Sequence, residues 1–140
     1  MTLDADVLDI LSHCRTIAVV GLSPKSERAS FDVARHMQAQ GYRIIPINPK
    51  AGVADILGEK VYASLLDASQ VEKIDLVNCF RNSEDIPPIV DEAIAIRAKA
   101  VWMQLGIAHT DAAAKAQAAG LKVVQNRCLK IDQRALQNRL

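Results

Sequence analysis

Three basic residues, Lys25, Arg28 and Lys50, two hydroxyls, Ser23 and Ser30, and one glycine, Gly21, have the types and spacing to hold a phosphate. Most of them lie in the stretch TIAVVGLSPKSERAS, where a short apolar run ends at Gly21 and a helical pattern starts just beyond the loop. A strand that opens into a glycine-bearing loop and then a helix suits an anion. Its end is unobstructed, the glycine permits close backbone approach, and the helix N-terminus presents unpaired N–H groups and a positive dipole end. Lys25 and Arg28 abut the glycine turn. They either bind phosphate or are solvated loop charges.

The loop departs from the G-x-G-x-x-G pattern of dinucleotide sites. Only Gly21 is present; Ser23 takes the second glycine's place, and Arg28 or Ala29 falls near the third. Hydroxyls and a guanidinium must then do more of the binding. At the end of the next apolar run, NAD-type sites carry an acidic residue for the ribose diol. This chain has Asn48-Pro49-Lys50 there. A carboxylate would repel a ribose phosphate, whereas Lys50 attracts one. The arrangement favours a nucleotide phosphorylated on its ribose, as coenzyme A (3′-phosphate) or NADP (2′-phosphate) would be.

The elements that must position these residues follow from periodicity. An amphipathic helix is expected at Leu3–Ser12, with Leu3, Val7, Leu8 and Leu11 on one face. Strands are expected at Thr16–Val20, Tyr42–Ile47, about Lys60–Tyr62, Ile74–Phe80, Ala100–Met103 and Leu121–Gln125. Helices are expected near Ser30–Gln40, with Ser30 as N-cap and Gly41 at C′, over the turn Ser64–Ala68, and from Glu84 to Ala98. Pro87 and Pro88 fit that last helix because they fall in its first turn. Thr110 and Asp111 open an Ala-rich helix ending at Gly120, and the chain from Cys128 onward is helical in pattern. Such alternation predicts a single Rossmann-like α/β domain over 1–140, with a doubly wound parallel sheet of five to six strands and helices on both faces.

Ligands of such sheets lie beyond the carboxyl ends of the strands. Those ends supply Gly21 to Lys25, then Asn48 to Lys50, then Phe80-Arg81-Asn82-Ser83, then Gln104-Leu105-Gly106-Ile107, then Asn126-Arg127-Cys128. Arg81 either faces the crevice or pairs with Glu84 or Asp85.

A formal net charge of +1 over 140 residues leaves no global field to recruit nucleic acid or a membrane, so the anion site must be local. The N-terminus lacks a basic region and no apolar run reaches membrane-spanning length. Cys14, Cys79 and Cys128 are odd in number and far apart, which points to free thiols in a reducing cytoplasm. Cys79 reads as a core residue, and Cys128 stands where a helix begins. His13, His36 and His109 have no metal-ligand spacing; His36 reads as exposed and Trp102 as packed against a helix.

The blocks VGLSPKSERAS, RIIPINPK, ILGEKVYASL, DLVNCFRNSEDIPPIVDEAI, AVWMQLGI and GLKVVQNRCLKID, in that order, resemble the small CoA-binding protein family. More distantly they are similar to the CoA-binding domain of the succinyl-CoA synthetase alpha subunit. The resemblance runs from about Arg15 to Ala135 and implies a domain that binds coenzyme A or an acyl-CoA. It would set Gly21, Ser23 and the following basic residues against the pyrophosphate, and Pro49 and Lys50 against the nucleotide and its ribose phosphate. Phe80 and Arg81 would border the pantetheine or adenine side, with Gln104, Gly106 and Ile107 as the far wall. The histidine such proteins commonly show shortly after the Cys128-type cysteine is absent; Asp132-Gln133-Arg134 stand there.

The expected function is binding of a small nucleotide ligand, CoA or acyl-CoA, by a non-catalytic protein that is monomeric or weakly dimeric. Two alternatives are a small NADP-binding oxidoreductase, for which no proton-relay residue is evident, and a regulatory subunit of an acyl-CoA enzyme. The synthetase reaction itself needs a phosphorylatable histidine and a nucleotide-grasp partner, and neither is found in these residues.

Overall fold

The structure, a computed structural model, describes residues 4–139. In chain order it runs α1 (Ala5–His13), β1 (Thr16–Val20), α2 (Ala29–Ala39), β2 (Arg43–Ile47), β3 (Asp55–Ile56), β4 (Glu59–Lys60), α3 (Leu65–Ser69) and β5 (Leu76–Cys79). A 3₁₀ turn (Ser83–Asp85), α4 (Ile86–Ala95), β6 (Ala100–Met103), α5 (Thr110–Ala118), β7 (Lys122–Val124) and α6 (Leu129–Arg139) complete it. Leu3 of the expected first helix lies outside the described residues.

Five strands form one parallel sheet in the order β2-β1-β5-β6-β7. The strands are almost continuously apolar because both sheet faces are covered. Ile17 and Val19 turn one way, onto α1, α2 and α6 through Val7, Ile10, Val33, Met37 and Leu129. Ala18 and Val20 turn the other way, onto α3, α4 and α5 through Leu65, Ile86, Val90, Ala113 and Ala116. Trp102 is fully buried on the first of these faces. The doubly wound parallel fold is therefore as expected.

The strand expected at Lys60–Tyr62 takes a different form. Residues 55–60 make a two-stranded antiparallel hairpin, β3-β4, turned by Leu57 and Gly58 at φ 55° and 77°. Only Tyr62 reaches the main sheet, in an isolated parallel bridge to Ile47, with its N–H donating to Pro46 O (3.0 Å) and its carbonyl accepting from Asn48 N–H (2.9 Å). With that bridge as a vestigial edge strand, the spatial order is the 3-2-1-4-5-6 of Rossmann folds.

The connections after β1 and β5 leave in opposite directions, since β2 lies on one side of β1 and β6 on the far side of β5. That divergence opens a crevice above the strand ends, at the switch point of the sheet.

Candidate functional site

Gly21 stands at the floor of this crevice. Its φ is +88°, and a Cβ placed on it would lie 2.6 Å from the carbonyl oxygen of Phe80 at the end of β5. Its N–H donates to Ile47 O at 2.8 Å. The glycine therefore lets three strand ends close on one another; its amide is spent on β2 rather than left for an anion.

Side chains hold the loop beyond it. Ser30 lies inside α2 and is buried, so it is not the N-cap expected from sequence. Its Oγ accepts the Ser23 N–H (3.0 Å), and Ser23 Oγ accepts the Lys25 N–H (3.1 Å). Across the crevice, Asn48 Nδ2 donates to Leu22 O (2.9 Å) while its Oδ1 accepts the Lys50 N–H (2.9 Å). One asparagine thus ties the β1 loop to the β2 loop and sets the backbone that carries Lys50.

Arg28 is the N-cap of α2, in extended conformation and with no side-chain bond to the first-turn N–H groups. By contrast Asp4, Ser64 and His109 each accept such an N–H at the starts of α1, α3 and α5. The α2 N-terminus therefore keeps unspent donors. Ala29 and Ser30, in its first turn, border a cleft of about 470 Å³ with Gly21, Ser23, Lys25, Arg28, Asn48, Lys50 and Phe80. Three exposed cations, a bare helix N-terminus and fixed loops meet there, which is the chemistry of a phosphate site.

Ala29 and Phe80 also line a larger cleft of about 910 Å³ over the other half of the sheet. Arg81, Gln104, Gly106 and Ile107 lie on its walls with Leu105, Ile131, Cys128, Lys130 and Arg134. The loops after β5 and β6 are joined where Ala108 N–H donates to Ser83 Oγ (3.1 Å), and Gly106 N–H donates to Asn126 Oδ1 (2.7 Å). Pro49 lies off the smaller cleft, in a neighbouring hollow it shares with Gly21 and Arg81. Arg81 does both things foreseen for it: it borders the crevice, and it pairs with Asp85 rather than Glu84, at 3.6 Å.

The contribution of α6 was not foreseen. Lys130 bridges to Asp32 of α2 at 2.9 Å, and that hydrogen bond is the main cause holding the Asp32 carboxyl below its ordinary value. Arg127 makes a two-pronged pair with the buried Asp132, at 2.7 and 2.9 Å. His36, read as exposed, is half-buried with Nε2 2.6 Å from Gln133 Oε1. The one signal available in sequence was Cys128 at a helix start; nothing local told which strand end that helix would cover.

The CoA binding domain family matches residues 15–134. The chain belongs to that family. It is 36% identical over 127 residues to the uncharacterized protein YneT of Bacillus subtilis (strain 168), covering 91% of each chain. Two solved structures are similar to this CoA-binding domain. A hypothetical protein from Pyrococcus horikoshii OT3 superposes with a TM-score of 0.88 at 35% identity, over 98% of both chains. The cell-free ID.343 protein from Thermus thermophilus also gives 0.88, at 34% identity, over 96% of this chain and 99% of that one. Among the described residues of the domain no helix is long and apolar enough to cross a membrane.

Proposed function

We propose that the protein binds coenzyme A or an acyl-CoA across the two joined clefts as a non-catalytic binding protein. The observation that carries this reading is the placement of Lys25, Arg28 and Lys50, from two strand-end loops, around one cleft that shares Ala29 and Phe80 with a second, larger one whose mixed walls include Val33, Leu105, Ile107 and Ile131. The donor set fits the group. A ligand bearing a ribose phosphate and a pyrophosphate needs several cations at one end, and the pantetheine arm needs a longer, less polar groove. Lys50 stands where an acidic residue would select the unphosphorylated ribose of NAD. Lys25, Arg28 and the α2 N-terminus would meet the pyrophosphate, and Phe80, Leu105 and Ile107 would flank the arm. Free cysteines throughout suit a reducing cytoplasm.

A thermal-shift series with CoA, acetyl-CoA, 3′-dephospho-CoA, NAD and NADP tests the reading. A ligand at a hundred times its Kd adds about 2.7 kcal/mol to folding stability, an easily measured shift. CoA and acetyl-CoA shift the melting temperature, dephospho-CoA shifts it less, and Lys50→Glu narrows the gap between CoA and its dephospho form. A shift with NADP alone overturns the proposal.

A further inference from the structure

The larger cleft contains a thiol and a donor amide that no structural bond explains. Gln104 is 95% buried, being only 5% exposed at the end of β6. Its Oε1 accepts two hydrogen bonds, from Asn78 Nδ2 (3.1 Å) and from Leu129 N–H (3.0 Å), which fixes the amide plane. Its Nε2 has no hydrogen-bond partner among the described residues. Among the described residues only Asn78 Oδ1 is at once fully enclosed and unpartnered, so Gln104 Nε2 keeps an opening, and the cleft it lines supplies one. A nearly buried N–H donor left unmatched is costly, and an acceptor arriving with the ligand would recover that cost. Leu129, which holds the amide, directly follows Cys128. Donor and thiol are thus fixed to one turn of backbone.

Cys128 is half-buried on the wall of the same cleft, and its carbonyl accepts the Asp132 N–H (3.1 Å) to start α6. We infer that this cleft receives the pantetheine arm, with Gln104 Nε2 donating to an amide carbonyl of the arm, and that Cys128 forms a mixed disulfide with the thiol at its end. The inference rests on the CoA reading above. The other two cysteines are unsuited: Cys14 and Cys79 are sealed in the core, where burial pushes their thiols up to about 11 and about 12.

The step needs no outside oxidant when the incoming molecule is CoA disulfide. Cys128 loses its proton and Sγ attacks one sulfur of that disulfide. The S–S bond of the reagent breaks as the Sγ–S bond forms. The second CoA leaves as thiolate and takes up a proton, so one disulfide replaces another and the electron count is unchanged.

The test is intact-mass and peptide mass spectrometry on the full chain incubated with CoA disulfide, or with glutathione disulfide at the same concentration. The expected product carries one CoA moiety on the Cys128 peptide and is reversed by dithiothreitol. It should form about tenfold or more faster than the glutathione adduct, because the cleft holds the reacting sulfurs together. Acetyl-CoA, which has no free sulfur to exchange, should block it, and Cys128→Ser should abolish it. Equal rates for the two disulfides, no protection by acetyl-CoA, or label on Cys14 or Cys79 would overturn the inference. A thermal shift with acetyl-CoA but no adduct rejects the disulfide alone; no shift with either CoA compound rejects the binding reading as well.

Discussion

Arg28 occupies a position where stability and binding ask for different residues. It is the N-cap of α2 at φ −81° and ψ 146°, close to the backbone of Asp4, which caps α1 at φ −79° and ψ 169°. An aspartate at 28 would need no backbone change to accept a first-turn N–H. Replacing a non-capping residue by Asp, Ser or Asn gains about 1 kcal/mol, and a carboxylate at a helix N-terminus adds about 0.3–1 kcal/mol more. Arg28→Asp should therefore stabilise the ligand-free protein by about 1–2 kcal/mol, a rise of roughly 3–8 °C in Tm for a chain of this size. It should also remove a cation and occupy the donors that the ligand would use. Losing one charge-assisted hydrogen bond costs about 1.5–3 kcal/mol, so CoA affinity should fall by roughly ten- to a hundredfold or more. Arg28→Ala separates the two effects, because it weakens binding without supplying a cap. Urea unfolding of the free proteins and calorimetric titration with CoA read both quantities. A variant Arg28→Asp that is less stable, or that binds CoA as well as the parent, refutes the argument that this helix end is left bare for the ligand.

Other positions carry predictions of a plainer kind. Gly21→Ala combines left-handed strain of about 1–2 kcal/mol with a clash against the Phe80 carbonyl, worth about 1–3 kcal/mol. Gly41→Ala, at φ +97° with nothing within 4 Å, suffers only the strain, so urea melts that rank the two equally would remove the clash from the account. Asp132→Ala breaks a pair whose carboxylate is 3% exposed and whose guanidinium is 31% exposed; the loss in denaturant stability should be about 2–3 kcal/mol, below the 3–5 kcal/mol of a fully buried pair. Asp75 accepts the N–H groups of Arg15 (2.9 Å) and Thr16 (3.1 Å). Burial pushes its carboxyl up, but those bonds together with Lys99 and Lys73 outweigh it, and the net direction is down. A depressed carboxylate stabilises above its unfolded pKa of about 3.9 and loses that contribution as pH falls through the folded value. The stability gap between the parent and Asp75→Ala should therefore be constant near neutrality and close in acid, as pH-dependent urea melts would show.

The parts of this fold that were legible in sequence are those where one physical demand dominates. Residues 16–20, 44–47, 76–79 and 100–103 are mostly apolar because both faces of a parallel sheet are covered. The β3-β4 hairpin was missed because Leu57 and Gly58 do not carry the Asn-Gly or Asp-Gly signal, although both adopt positive φ as a tight hairpin requires. Ser30 was misplaced by two positions: Arg28, a poor cap by type, holds the cap position, and a serine by preference suggests the wrong boundary. At the site, Gly21, the cations and the Asn48-Pro49-Lys50 corner were readable as local patterns. Lys130, Arg134 and the Asp32 bridge were not, since they reach the cleft only through the packing of α6 beside α2.

The proposed anion site, with one glycine where dinucleotide loops use three, would spend its backbone donors differently from such a loop. In a glycine-rich loop the amides themselves face the phosphates. Here the N–H of Gly21 goes to Ile47, that of Ser23 to Ser30, that of Lys25 to Ser23 and that of Lys50 to Asn48. The uncapped first turn of α2 and the side chains of Lys25, Arg28 and Lys50 are among the groups left for an anion. Such a site recognises charge more than shape, and its cations are exposed. Binding should therefore weaken with ionic strength more steeply than in a loop of buried amides, because exposed charges are screened within about 8 Å at physiological salt. The loops stay rigid without glycine because their own hydroxyls and the Asn48 amide fasten them. The chain has exchanged a cradle of amides for a fixed frame that presents cations.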